Sequence, residues 1–164
     1  MNKYRSHNCS ELTESDSGKQ VLLSGWLHRK RDHGNLLFID LRDHFGITQC
    51  VIENNNKFFK LLENIKSESV ISVSGKVADR ETGTENKDLK TGKIEIYIES
   101  IKILSEAKEL PMPVFGEQEY PEDIRLKHRF LDLRRNKMHE NIILRSKIIS
   151  FLRSEMSKSG FLEF

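Results

Sequence analysis

From Lys19 to His28 the chain reads KQVLLSGWLH, a run rich in Val, Leu and Trp that predicts a strand, with Gly25 as a bulge or a close backbone approach. Asp32-His-Gly-Asn35 is turn chemistry, and Asn35 to Arg42 (NLLFIDLR) alternates as a second strand. A second turn, Asp43-His-Phe-Gly46, leads to a third strand from Ile47 to Glu53 (ITQCVIE), completing an antiparallel meander. The period then changes. Between Asn54 and Lys66, Phe58, Leu61, Leu62 and Ile65 recur at helical spacing, so a short amphipathic helix is expected. Strand character returns over Ser69 to Ala78 (SVISVSGKVA), and after a polar loop from Asp79 to Gly92 the alternation of Lys93 to Leu104 (KIEIYIESIKIL) closes the set.

Three strands, a helix and two further strands make a mainly β domain in the order of the five-stranded OB-fold Greek-key barrel, with the helix between strands 3 and 4. An SH3-like barrel has no helix in that place. Beyond Ser105 the character shifts. Glu109 to Tyr120 (ELPMPVFGEQEY) carries two of the three prolines and reads as an extended linker, and Pro121-Glu-Asp123 opens a helix with Pro and acids in its first turn. A longer helix is expected from about Lys137 to Ser159, with Ile142, Ile143, Ile149, Leu152 and Met156 as its apolar stripe and Gly160 as its stop. The expected division is therefore a barrel over 1–106, a hinge over 107–136, and the first helix of a further, truncated domain over 137–164.

Composition narrows the picture. Charged residues make up 32% of the chain and hydrophobic ones 37%, but the net charge is only +2, so any basic footprint has to be local. Two runs supply one: His28 to Arg31, and Arg125, Lys127, Arg129, Arg134 and Arg135 around the single acid Asp132. Each reads equally as a solvated face. Cys9 and Cys50 have no metal-ligand spacing, the N-terminus has no apolar leader, and no apolar run approaches membrane-spanning length, so a cytoplasmic protein without a membrane partner is expected. No metal cluster, nucleophile elbow or phosphate-binding loop is present. The chain reads as a binder with no catalytic residue and no cofactor of its own.

A barrel face that holds single-stranded bases needs an aromatic platform, amides or carboxylates for base edges, and cations for phosphates. Alternation puts Phe38 and Asp40 on one face of the second strand, with Leu37, Ile39 and Leu41 on the other. Phe38 is then a candidate stacking platform, or a ring that fills the barrel. Gln49 can donate and accept, which suits a uracil edge, but it is also an ordinary strand residue. Glu95 offers two acceptors side by side, matching the two donors of a guanine edge, and again a solvent-facing strand Glu is commonplace. Arg29, Arg31 and Arg80 would serve phosphates or base edges around that face.

The stretch GWLHRKRDHGNLLFIDLRDHFGITQ closely resembles the anticodon-binding barrel of bacterial-type aspartyl-tRNA synthetases of class II. The likeness continues through GKVADRETGTENKDLKTGKIEI and EDIRLKHRFLDLRR, and RSKIISFLRSEMSKSGFLEF resembles the start of class II motif 1. The asparaginyl and lysyl relatives differ around the Arg-Asp-His-Gly turn and Phe-Ile-Asp-Leu-Arg-Asp. The resemblance implies that Phe38 stacks on the central anticodon base, a uracil, and Gln49 reads its edge. It implies that Glu95 reads the first base, a guanine or its queuine-type derivative, with Arg31, Arg80 and Asn86 contacting the loop. The helix carrying Arg125, Lys127 and Arg129 would be a hinge touching the tRNA stem, and residues 141–160 would form part of a homodimer interface. His33 and Gly83 stand at positions resembling enzymes that accept tRNA-Asn as well as tRNA-Asp. In a full-length enzyme, ATP with Mg²⁺ would activate aspartate in motifs beyond Phe164, and this piece would recognise the tRNA without catalysing. A free-standing OB module for single-stranded nucleic acid is the alternative reading.

Overall fold

A computed structural model describes residues 3–116 and 118–164. The chain divides into two compact units, Met1–Glu109 and Leu110–Phe164. In the first, the expected elements appear as β1 (Gln20–Asp32), β2 (Leu36–Arg42), β3 (Ile47–Glu53), α1 (Phe59–Asn64), β4 (Val70–Asp79) and β5 (Ile94–Ser105). β1 is antiparallel to both β2 and β4, β2 to β3, and β4 to β5. β3 and β5 meet in parallel through Cys50↔Ile96 and Val51↔Tyr97 only, and this short seam closes the barrel in the order β1-β2-β3-β5-β4. The sequence pattern and the observed topology agree on the OB-fold.

The inner face follows the period of two. Leu23, Leu27, Ile39, Leu41, Cys50, Ile71, Val73 and Ile96 are buried in one core cluster with Phe59 and Leu62 of α1. Gly25 answers to close approach and not to a bulge, since a Cβ there would lie 2.3 Å from the carbonyl oxygen of Arg42. The bulge falls three residues later, at His28. Pairing runs Leu27↔Leu41 and then Arg29↔Asp40, so one residue of β1 is skipped and the alternation is reset. Without that step Arg29 and Arg31 would share the inward parity of Leu27. With it they share the outer face of Asp40 and Phe38, and Lys30 falls in the inward register of Ile39.

Lys30 is therefore a structural cation, although it sits in the middle of the basic run. Its Nζ donates to the carbonyls of Leu62, Glu63 and Ile65 at 3.3, 2.6 and 2.7 Å, where α1 ends. Those carbonyls have no partner inside the helix, and a cation there also complements the helix dipole. Burial pulls the Lys30 pKa down, against the pull of Glu63.

An internal ion pair lies on the outer side of β2. Arg42 Nη2 donates to both Glu68 oxygens at 2.8 Å, with both side chains nearly inaccessible. Arg42 Nη1 lies 2.8 Å from His28 Nδ1, and the guanidinium sits 5.6 Å from the Trp26 ring centroid. Glu68 has φ 65, a left-handed backbone unusual for a residue with a Cβ, and its N–H donates to Leu27 O at 2.7 Å. The ion pair and this bond tie the α1–β4 connection to β1 and β2.

In the second unit, Met112, Val114 and Leu131 form a small core flanked by Leu110, Tyr120 and Ile124, so the proline-bearing stretch supplies apolar anchors. Two short helices, α2 (Glu122–Lys127) and α3 (Arg129–Asp132), precede α4 (Asn136–Lys158). Asp132 is buried and accepts from Arg125 Nε at 3.1 Å and Arg129 Nη1 at 2.6 Å. α4 buries none of its side chains; Ile142, Leu144, Ile148, Ile149, Phe151, Leu152 and Met156 are all exposed. It ends at Gly160, whose φ of 86 lets Phe161 N–H reach back to Met156 O at 3.0 Å. Among the described residues no helix is long and apolar enough to cross a membrane.

Candidate nucleic-acid interface

Register converts the outer face of the barrel into two rows. One runs Arg31–Phe38–Val51–Tyr97 across β1, β2, β3 and β5. The other runs Arg29–Asp40–Gln49 across β1, β2 and β3. Glu95, two residues before Tyr97 on β5, extends it, because Gln49 stands two before Val51 on the parallel β3. Phe38, Gln49 and Glu95, far apart in sequence, are thus placed side by side by three strands.

Side chains link the rows. Arg31 Nη2 donates to Asp40 Oδ1 at 2.8 Å and to Gln49 Oε1 at 3.0 Å. Gln49 Nε2 then donates to Glu95 Oε2 at 2.8 Å. Tyr97 follows Glu95 by two residues on β5, and burial first, then the Glu95 carboxylate, push the Tyr97 pKa up. The result is a chain Asp40–Arg31–Gln49–Glu95 in which every bond involves an amide or a guanidinium. Burial raises the Asp40 pKa, and Arg31, Arg29 and Arg80 oppose it.

Phe38 lies outside the barrel core, half-buried, with its ring meeting the His33 ring edge-on at 5.3 Å between centroids. Arg29 is exposed beside Asp40. Arg80 stands at the β4 end of the same face: its Nε donates to Ile94 O at 3.1 Å, and Nη2 is buried with no hydrogen-bond partner among the described residues. Burial draws the Arg80 pKa down, while Glu95 and Asp40 counter it.

The remaining candidates are dispersed. Asn86 organises its own loop, its side-chain oxygen accepting from Asp88 N–H at 2.9 Å and its backbone N–H donating to Gly92 O at 2.9 Å. Gly83 has φ 91 at an exposed turn. Arg125 and Arg129 are committed to Asp132, and Lys127 is exposed in the second unit. Sequence reasoning missed Tyr97, Val51 and the anchoring part of Asp40. Tyr97 is 42% exposed and stands across the row from Phe38, while Val51 between them is covered although it faces outward. The period-two parity of Tyr97 with Glu95 was the available signal. Among the described residues no cluster of His, Cys, Asp and Glu could hold a metal ion.

An outer face that carries aromatic, amide, carboxylate and guanidinium groups together is the equipment of a nucleic-acid reader. The profile of the OB-fold nucleic acid binding domain matches residues 21–104, and the chain belongs to that family. A second profile, tRNA synthetases class II (D, K and N), matches residues 121–164.

Particular relatives agree. The aspartate–tRNA(Asp/Asn) ligase of Pelagibacter ubique is 65% identical over all of this chain, which covers 28% of that protein. The ligase of the same name from Bradyrhizobium diazoefficiens is 58% identical, again over all of this chain and 28% of its own length. The solved aspartyl tRNA synthetase from Entamoeba histolytica superimposes with a TM-score of 0.86 at 21% identity, over 96% of this chain and 38% of that one, a likeness of fold. The chain thus spans little more than a quarter of the length of these curated relatives, and its homologues are aspartate–tRNA ligases matched along their anticodon-binding portion.

Proposed function

We propose that this chain recognises the anticodon of tRNA-Asp as the N-terminal part of an aspartate–tRNA ligase. The observation that carries the reading is the Arg31–Gln49–Glu95 chain of hydrogen bonds lying beside Phe38 on one outer face of an OB barrel. Phe38 stacks on the central uracil, Gln49 reads that base, and Glu95 accepts from the first base, a guanine. Arg29, Arg31, Arg80 and Asn86 hold the surrounding backbone or base edges. The buried Nη2 of Arg80, which has a proton to give, supports its part.

Reading a base means exchanging bonds. In the free protein the Gln49 amide is occupied at both ends, so a base that enters has to replace what it displaces. A base with the wrong edge leaves a half-buried carboxylate or amide unsatisfied, which costs about 1–3 kcal/mol. Discrimination comes from that penalty.

The same reading extends to tRNA-Asn, whose anticodon differs at the third base. His33, whose ring meets that of Phe38, and Gly83 of the β4–β5 loop set the tolerance for that base. The names of the relatives include both tRNAs. Arg125, Lys127 and Arg129 form the hinge region toward the tRNA stem, the exposed apolar side chains of α4 belong to a homodimer interface, and the barrel, hinge and catalytic start follow 1–106, 107–136 and 137–164. In the whole enzyme ATP and Mg²⁺ activate aspartate for transfer to the tRNA; the protein works in the cytoplasm.

Anticodon stem-loops reading GUC, GUU and a scrambled sequence test this through Trp26 fluorescence or anisotropy at fixed salt. GUC binding at least tenfold tighter than the scramble is expected, with GUU close to GUC. Equal binding of all three would leave only phosphate attraction and remove the base-reading roles.

A further inference from the structure

The row Arg31–Phe38–Val51–Tyr97 continues onto the fifth strand, because Lys76 of β4 is the register partner of Tyr97. It therefore crosses all five strands from one cation to another, with two aromatic rings between them. Rings flanked by cations suit single-stranded nucleic acid, the rings taking bases and the cations phosphates. The proposed function uses only one of the two rings. Tyr97, 42% exposed, is more open than half-buried Phe38, and Lys76 beside it is exposed as well.

Val51 joins the two rings into one surface. It is 1% accessible, although it faces outward and has no place in the barrel core. Side chains opposite one another on neighbouring strands lie within contact reach, and those opposite Val51 are Phe38 and Tyr97. The three form one apolar strip with a ring at each end. The backbones of Phe38 and Tyr97 stand two interstrand spacings apart, about 10 Å, so each ring has room for a base of its own.

The neighbours of Tyr97 say which base that is. With the central base on Phe38 of β2 and the edge of the first base at Glu95 of β5, the anticodon crosses the sheet from β2 toward β5. Tyr97 is the next outward residue after Glu95 on that strand, about 7 Å along it. One strand thus offers the first base a carboxylate for its edge and a ring for its face.

We propose that Tyr97 is a second stacking platform of this face and carries the first anticodon base. The inference rests on the anticodon-reading proposal and adds a contact to it. Recognition of the first base then has two parts: Glu95 selects its edge, and Tyr97 supplies attraction that any base would share.

The measurement is the affinity of the 164-residue chain for a GUC stem-loop, for the same loop abasic at the first anticodon position, and for the loop abasic at the central one. A wild type that binds GUC no better than a scrambled loop would overturn the reading itself and the inference with it. Given that preference, Tyr97→Ala should weaken GUC binding by between about fivefold and a hundredfold, the worth of one stacked base. Tyr97→Phe, which keeps the ring and removes only the hydroxyl, should stay close to wild type. The Tyr97→Ala loss should vanish with the loop that lacks its first base and persist with the loop that lacks its central one. An unchanged affinity in Tyr97→Ala, an equal loss with all three loops, or a loss that follows the central base would overturn the inference while leaving anticodon reading intact.

Discussion

Asp40 and Arg42 stand two residues apart on the same face of β2, and each forms an ion pair, yet the two pairs belong to different kinds of site. Arg42 and Glu68 are 9% and 2% accessible, bidentate and closed by His28 and Trp26. Arg31 and Asp40 are 37% and 11% accessible, and the arginine spends a second bond on Gln49. A pair sealed from water has nothing left to offer a ligand and holds the fold. A pair with one member open has a bond to exchange. Accessibility, more than charge or residue type, separates the structural arginine from the one proposed to read the anticodon loop.

The largest effect should come from breaking the sealed pair. Glu68→Gln leaves the Arg42 guanidinium buried without its counter-charge, and a loss of about 3–5 kcal/mol in unfolding free energy is expected from chemical denaturation. The equivalent break at the open pair, Asp40→Asn, should cost about 1 kcal/mol or less in the same measurement, because Arg31 can turn to water. Equal losses at both would erase the distinction.

Lys30 and Arg31 sharpen the comparison within one dipeptide. Lys30→Met removes the donor to three carbonyls at the end of α1 and should destabilise by about 1–2 kcal/mol while leaving stem-loop discrimination unchanged. Arg31→Met should show the reverse, with the fold near wild-type stability and the affinity for GUC reduced. If both variants alter binding equally, the bulge at His28 does not divide the run as described.

That division was not legible beforehand. The strands, the α1 position and the shared face of Phe38 with Asp40 follow from alternation, because the inner face of a small barrel demands an apolar residue at every second position. A bulge obeys no such local rule. His28 is skipped because β1 must pair with both β2 and β4 as the barrel turns, and that is a property of partners remote in sequence. The cationic run consequently looked uniform, although one member caps a helix and two face outward. Tyr97 was hidden for another reason: in KIEIYIESIKIL it reads as one more large residue of a strand, and only the parallel seam with β3 puts it across from Phe38. Arg125 and Arg129 look like a free basic surface until Asp132 is seen to be buried beneath both.

A further expected effect is a pH dependence. Burial, then Arg42 and Arg29, lower the His28 pKa from its ordinary value to about 4. A base whose folded pKa is depressed is held neutral by the fold, so its contribution to stability is present above the unfolded value of about 6.5 and declines as pH falls toward 4. The denaturation midpoint of wild type should therefore fall across that interval by more than that of His28→Gln. Parallel curves would show that the imidazole titrates alike in the folded and the unfolded protein.

Contact between Phe38 and the central anticodon base is the centre of the proposed function, and a double-variant cycle reads that contact directly. Affinities of wild type and Phe38→Ala would be measured for a GUC stem-loop and for the same loop abasic at its central position. Stacking predicts that Phe38→Ala costs about 1–3 kcal/mol with the intact loop and almost nothing with the abasic one. Equal losses for both loops would contradict it, since the ring would then be supporting the barrel face and not a base.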